Sequence, residues 1–251
     1  MGRLVIPSGL QECQLHSLLQ STTQEARSAG FKQLMCRAQP RETALIRALE
    51  ESGWRLVDTL VTLRLDLRHQ RQPEPAVWGE TKAKEPEIRQ AQTNDVETLM
   101  QIARESFADR EIWLDRFHAD PKIPSPLADE LYAQWVKNSV TPDSPAESKA
   151  DRTFVATIRN GTVAGFLTCL RGNGSEPGKV LLNAVAKLYR GQGVYGHLVR
   201  KSLDWFREQG NTFVTVRTSI ISLAVQKTWL RLGALPCQTE HTFHWWAQET
   251  R

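Results

Sequence analysis

The chain of 251 residues carries 32 lysines and arginines against 28 acidic residues, a formal net charge of +4, and 40% of its residues are hydrophobic. This composition is that of a globular protein and excludes a disordered or fibrous chain. No run of about 18 apolar residues occurs, no secretory signal is recognisable, and the four cysteines show neither zinc nor disulfide spacing. We expect a cytoplasmic protein without metal or membrane span, and the mixed charges argue against nucleic-acid binding.

The first third of the chain predicts a small unit of strands and helices. Two helices end at Gly30 and Gly53, and a β-rich tail follows the second of them. Residues 69–86 are polar, contain three prolines and lack an apolar period, which is typical of a linker. We therefore divide the chain into an N-terminal half-domain (1–68), a linker (69–86) and a second domain (87–251).

The second domain predicts alternating helices and strands. Asn94 is the expected N-cap of its first helix, with Glu97 as the reciprocal capping partner. Asn160 and Gly161 suit a tight turn between two strands. The remaining predicted elements are a strand over 88–91, a helix over 127–138 with Leu131, Trp135 and Val136 inward, strands over 153–158, 163–170 and 180–185, a helix over 192–209, a strand over 213–217, a helix over 222–232 and one or two strands over 235–246. This order predicts a mixed α/β fold.

The two units share landmarks at a constant offset of 180 residues. Gly30 corresponds to Gly210, Gly53 to Gly233 and Leu49 to Trp229, without a gap. Because order and spacing both match, we infer that one ancestral half-domain is used twice.

The segment LYRGQGVYGHL (188–198) carries the chemical signal of the chain. It links a buried strand to a helix, where glycines permit close backbone approach and the first helical amides have no partner within the helix. Such a helix start binds anions, and Arg190 adds a positive charge. The pattern does not continue as a Walker loop and fits a dinucleotide-binding Rossmann opening poorly.

The segment VLLNAVAKLYRGQGVYGHLVRKSLDWF (180–206) resembles the acetyl-CoA signature of the GNAT N-acyltransferases. The resemblance covers about residues 87–246 and implies a GNAT fold (α/β, or α+β, with a mixed central sheet), preceded here by a partial, degenerate GNAT-like half-domain. It implies acetyl-CoA as co-substrate, held by the strand and loop residues Ala184, Val185, Arg190, Gly191, Gln192, Gly193, Val194, Tyr195 and Gly196, and by Ser222. The first unit has SGLQECQL (8–15) in place of the loop and should not bind coenzyme A.

The segment DRFHADPKIPSPLADELYAQWVKNSV (115–140) resembles the TDP-fucosamine N-acetyltransferases, which acetylate an amine on a nucleotide-linked sugar and also carry a partial GNAT unit. The resemblance implies a small amine acceptor, for which the acceptor pocket residues are Arg116, Phe117, His118, Tyr132 and Asn183, with Asp120 and Trp135 at its border. We expect direct attack of the amine in a ternary complex. His118 or Asp120 is the hypothesised proton acceptor.

The proton donor for the leaving thiolate is the point at which the pattern departs from the family. Trp229 stands where related enzymes often carry a tyrosine, and Ser222 replaces a common asparagine. Tyr195 is the nearest tyrosine of the motif and is the candidate donor. A non-catalytic module that binds acyl-CoA or a partner, and a protein or peptide acetyltransferase, therefore stay open as alternatives. A homodimer is compatible with the sequence.

Overall fold

The computed structural model describes residues 2–7, 10–68, 85–173 and 175–247. Nine strands alternate with six α-helices in this part of the chain. In chain order they are β1 (Gly2–Leu4), α1 (Glu12–Ser28), β2 (Gln33–Ala38), α2 (Thr43–Glu51), β3 (Arg55–Asp66), β4 (Glu87–Gln90), α3 (Val96–Phe107), α4 (Ser125–Val140), β5 (Arg152–Ile158), β6 (Thr162–Leu170), β7 (Gly178–Val185), α5 (Val194–Glu208), β8 (Phe213–Ser219), α6 (Leu223–Arg231) and β9 (Leu235–Trp246). The predicted mixed α/β fold class is confirmed.

All nine strands form one sheet in the order β1-β2-β9-β3-β8-β7-β6-β5-β4. The β1/β2 and β7/β8 pairs are parallel, and the other six pairs are antiparallel. Strand β3 of the first 68 residues lies between β8 and β9, and β9 in turn lies between β2 and β3. Each half of the repeat thus contributes its last strand to the other half, which the sequence did not indicate.

Strands and helices of the two halves have matching bounds at the 180-residue offset. Strands β3 and β9 begin and end at corresponding residues, as do helices α2 and α6. In the β3/β9 ladder, Thr59 faces His241 and Val61 faces Thr239, so the pairs exchange under the offset. A pseudo-two-fold axis therefore passes close to the central pair, Leu60 and Glu240.

Buried side chains cover both faces of the sheet. Neighbouring residues of β6 point to opposite faces, so that Leu167 packs beneath α5 and Phe166 packs beneath α3 and α4. Helices α1 and α2 cover β2 and the end of β9 in a third cluster. A cleft opens where β7 meets β8, and residues from the start of α5 and the end of α3 line it.

Several local predictions need correction. Asn94 is not the N-cap, because a short 3-10 turn (Thr93–Asp95) precedes α3 and Asp95 accepts the Gln92 amide at 2.7 Å. Leu131 is 36% exposed rather than inward. Residues 235–246 form one strand, which agrees with the prediction of one or two. The predicted linker lies outside the described residues except for 85 and 86. Within the described ranges, no helix has the length and apolarity needed to cross a membrane.

Candidate active site

The loop before α5 is shaped by two glycines. Gly191 has a φ of 74° and Gly193, the N-cap of α5, a φ of 79°. Residues with a Cβ rarely adopt this left-handed conformation. The loop therefore turns sharply into the helix, and the amides of its first turn, which have no carbonyl one turn earlier, face the cleft. This geometry suits a phosphate or diphosphate group.

Arg190 fastens this loop to the rest of the site. Its guanidinium donates to the Asp109 carboxylate at 2.7 Å and to the Val185 carbonyl at 3.1 Å. The hydrogen bond from Arg190 holds the pKa of Asp109 below its usual range. The expected free positive charge at the mouth is thus neutralised by Asp109, and the contribution of Arg190 to ligand binding would be to position the loop.

Strands β7 and β8 separate beside the loop. They pair only from Gly178 to Val180 on the β7 side, and residues 181–185 have no described partner on β8. On the other side of β7, the ladder to β6 contains a bulge, where the Thr168 hydroxyl bonds both the amide and the carbonyl of Leu182. In the first half, by contrast, Gly2–Leu4, which correspond to residues 182–184 of β7, do pair with a neighbouring parallel strand, at residues 34–36. In the second half, the parallel strands β7 and β8 thus leave a wedge-shaped gap between them.

A cavity of about 1110 Å³ follows the wedge from the α5 loop to the centre of the sheet. Its volume exceeds the roughly 300–1,000 Å³ of a pocket for one drug-sized ligand. Most of the predicted site residues line it, namely Arg116, Tyr132, Asn183, Ala184, Val185, Arg190, Gly191, Gly193, Val194, Tyr195, Gly196 and Ser222, as does Trp135. Gln192, Phe117, His118 and Asp120 are not among the lining residues.

His118 lies in a buried ionic cluster behind the cavity wall. Its two ring nitrogens contact Asp115 at 2.6 Å and Asp129 at 2.9 Å. Burial disfavours the imidazolium, but the two carboxylates outweigh burial and raise the pKa of His118. Burial also opposes ionisation of Asp115, and the contact with His118 nevertheless lowers its pKa. These contacts hold the acceptor loop together, and a role of His118 as proton acceptor stays a prediction without support from this geometry.

Asp120 is likewise bound to other side chains, here at the end of β9. Its carboxylate contacts the His244 ring at 2.7 Å and accepts the Trp246 indole N–H at 2.8 Å. Burial raises the pKa of Asp120, but these hydrogen bonds outweigh burial and lower it. Phe117 is likewise buried in the core below α4. The loop is therefore fixed to the end of β9, and a catalytic role of Asp120 also stays a prediction.

Trp229, which stands where related enzymes often carry a tyrosine, contacts a tyrosine of α5. Trp229 is fully buried and its indole N–H donates to the Tyr195 hydroxyl at 2.9 Å. Tyr195 lines the cavity, and burial raises its pKa, so that its hydroxyl stays protonated at neutral pH. Ser222, at the N-cap of α6, donates to the Ile112 carbonyl at 3.0 Å and ties the α6 start to the acceptor loop.

Sequence reasoning missed the polar end of the cavity. Arg37, Asp58, Thr62 and Arg217 line it from β2, β3 and β8. A signal was present, because Arg37 and Arg217 correspond in the 180-residue repeat, but only the strand exchange brings both to one cavity. Among the described residues, no group of three or more metal-ligating side chains is found that could hold a metal ion.

An anion-binding loop at a helix start, beside two diverging parallel strands and a shared cavity, is the architecture of an N-acyltransferase. The chain belongs to the acetyltransferase (GNAT) family, whose family model matches residues 96–234. Members of this family are acetyltransferases that use acetyl-CoA, and the predicted family and enzyme class are confirmed.

Known proteins resemble the chain at low identity. It is 24% identical over 162 residues to the spore coat polysaccharide biosynthesis protein SpsD of Bacillus subtilis, covering 64% of this chain and 50% of that protein, so the chain spans about half the length of this relative. A GCN5-related N-acetyltransferase from Kribbella flavida aligns with a TM-score of 0.60 at 14% identity, over 96% of this chain and 79% of that one. A tandem GNAT protein from the clavulanic acid biosynthesis pathway aligns with a TM-score of 0.58 at 14% identity, over 99% and 76%. These structures support the fold.

Proposed function

We propose that the protein transfers an acetyl group from acetyl-CoA to a primary amine of a small molecule, with a nucleotide-linked amino sugar as the favoured acceptor. The observation that carries the proposal is one continuous cavity of about 1110 Å³, which joins the glycine loop and the open edge of β7 to a polar end. The similarity to a protein of polysaccharide biosynthesis and the resemblance of residues 115–140 favour a sugar.

In the proposed reaction, both substrates bind before chemistry begins. The diphosphate of acetyl-CoA contacts the amides of Gly191, Gly193 and Val194, and the pantetheine extends along the unpaired edge of β7 at Asn183 to Val185. The neutral amine attacks the thioester carbonyl carbon, a carbon–nitrogen bond forms and the carbon–sulfur bond breaks. One proton passes in net terms from the amine nitrogen to the sulfur, which yields an amide and free coenzyme A.

Tyr195 is the proposed donor to the leaving sulfur. Tyr195 lines the cavity, and the Trp229 indole N–H fixes the position of its hydroxyl oxygen while leaving the phenolic proton available. Tyr195→Phe removes the hydroxyl and keeps the ring. We expect kcat to fall about tenfold to a thousandfold, in the range of losing one positioned donor, with unchanged affinity for acetyl-CoA. Equal kcat in Tyr195→Phe and the native protein would exclude this role.

The decisive experiment measures acetyl-CoA binding by calorimetry and thiol release with a panel of amines. The panel contains nucleotide-linked amino sugars, free amino sugars, amino acids and peptides. Release with the nucleotide-linked sugars above all others supports the proposal, and release with peptides alone favours a peptide acetyltransferase. The replacement of the usual tyrosine by Trp229 favours a second candidate, a non-catalytic acyl-CoA-binding module. Binding without release on any amine would establish that candidate.

A further inference from the structure

The polar end of the cavity collects arginines from three separate parts of the chain. Arg37 comes from β2, Arg217 from β8 and Arg116 from the loop before α4, and all three line the cavity. Arg37 and Arg217 are counterparts in the repeat and lie on either side of Glu240, at 3.9 Å and 3.2 Å from its carboxylate. The pseudo-two-fold axis near Glu240 thus brings both arginines to one place.

These guanidinium groups are incompletely paired. Arg37 is 11% exposed at its side chain, and its ion pair with Glu240 is longer than a hydrogen bond. Arg116 lies over the Phe117 ring at 4.2 Å, and no acidic side chain of the described residues forms an ion pair with it. Burial and the two neighbouring arginines lower the pKa of Arg37 to about 10, so it is still charged at neutral pH.

Basic side chains outnumber acidic ones along the cavity wall. Six lining side chains are basic and three are acidic: Arg3, Arg37, Arg116, Lys179, Arg190 and Arg217 against Asp58, Glu111 and Asp115. Two of these nine side chains already have an ion-pair partner outside the set: Arg190 pairs with Asp109, and Asp115 pairs with His118. Clustered guanidinium groups in a confined space repel each other, and an anion between them relieves this repulsion.

We propose that the polar end is an oxyanion subsite, in which Arg37, Arg116 and Arg217 bind a phosphate or carboxylate group of the amine acceptor. The planar fork of arginine matches both groups. The subsite specifies which amines the protein would acetylate, and it therefore rests on the proposed function. The N-terminal half, whose counterpart of the coenzyme loop is lost, supplies Arg37 to acceptor recognition.

Asp58 of β3 positions the loop that carries Arg116. It is 5% exposed, one carboxylate oxygen accepts the Arg116 amide at 3.0 Å, and the other has no hydrogen-bond partner in the described structure. Its carboxylate holds the backbone of the Arg116 loop against the N-terminal half. The position of Arg116 in the subsite thus depends on β3, as the position of Arg37 depends on β2.

Direct binding tests the subsite without turnover. With coenzyme A present at saturation, so that its own phosphate site is filled, UDP and glucuronate are titrated separately by calorimetry. UDP binding identifies a phosphate-bearing acceptor and glucuronate binding a carboxylate-bearing one. We expect Arg37→Gln to weaken the bound anion about tenfold to a hundredfold, Arg37→Lys to weaken it less, and Arg231→Gln, on the exposed end of α6, to leave it unchanged. Binding of neither anion, or equal binding by all variants, would overturn the proposal.

Acceptor kinetics separate this proposal from the proposed function. Arg37→Gln should raise KM for amines that carry an oxyanion and leave KM for neutral amino sugars and the affinity for acetyl-CoA unchanged. An equal change for charged and neutral acceptors would refute the subsite. Arg37-dependent anion binding without thiol release from any amine would instead retain the subsite and refute acetyl transfer. Thermal unfolding of each variant shows whether it is folded. If Arg37→Gln does not fold, the same comparison is made with Arg37→Lys.

Discussion

The α5 loop offers a sharp test, because the chain contains a matched control for it. Gly193 and Gly210 have φ values of 79° and 78°, so valine at either position meets nearly the same backbone strain. Gly193 lines the cavity, whereas Gly210 follows the far end of α5 and is not among the lining residues. A left-handed residue with a Cβ costs about 1–2 kcal/mol, which corresponds to a fall in Tm of roughly 2–8 °C in a chain of this size.

The two variants should therefore differ in ligand binding and agree in stability. A side chain at Gly193 keeps the diphosphate from one or two amides, each worth about 1.5–3 kcal/mol as a charge-assisted hydrogen bond. We expect the Kd for acetyl-CoA to rise about tenfold to a hundredfold in Gly193→Val if one amide is lost, and up to about ten-thousandfold if two are lost. In Gly210→Val the Kd should stay unchanged. Calorimetry measures the Kd and a thermal melt the stability. Native affinity in Gly193→Val, with both melts lowered alike, would refute the binding role of the loop.

Three further predictions concern the scaffold. His118→Gln should be less stable than the native protein, most of all below the ordinary histidine pKa of about 6.5. The pKa of His118 is raised in the folded protein. In urea titrations, the difference in stability should therefore shrink as the pH rises through this raised pKa. Thr168→Val leaves the buried Leu182 amide unpaired and should cost about 1–3 kcal/mol in the same assay; an unchanged midpoint would contradict this. Residues 87–251 expressed alone should be insoluble, since β9 loses both neighbours, and co-expression of residues 1–68 should restore solubility.

Local structure could be predicted because particular residues determine it. Gly30, Gly53, Gly210 and Gly233 all have positive φ and all follow a helix, which is why glycine spacing alone located four helix ends. The same reasoning found the glycine loop before α5. Such signals are read within one turn of the chain and need no knowledge of distant contacts.

Contacts between distant residues could not be predicted in this way. Arg190 is paired with Asp109, 81 residues away, and Asp120 with His244, 124 residues away. Neither pair follows from spacing, since both depend on how the loop before α4 packs on the sheet. For this reason the sequence placed His118 and Asp120 near the chemistry, while the structure shows their polar atoms bound to other side chains.

The strand exchange explains why a half that has lost its coenzyme loop keeps its fold. The only described neighbours of β9 are β2 and β3, and both belong to the first 68 residues. Mutations that unfold the first half would therefore expose β9 and the edge of β8, so the fold of this half is needed even without its own ligand. Arg37, which lines the shared cavity from β2, lies in a position to act on a ligand bound by the other half.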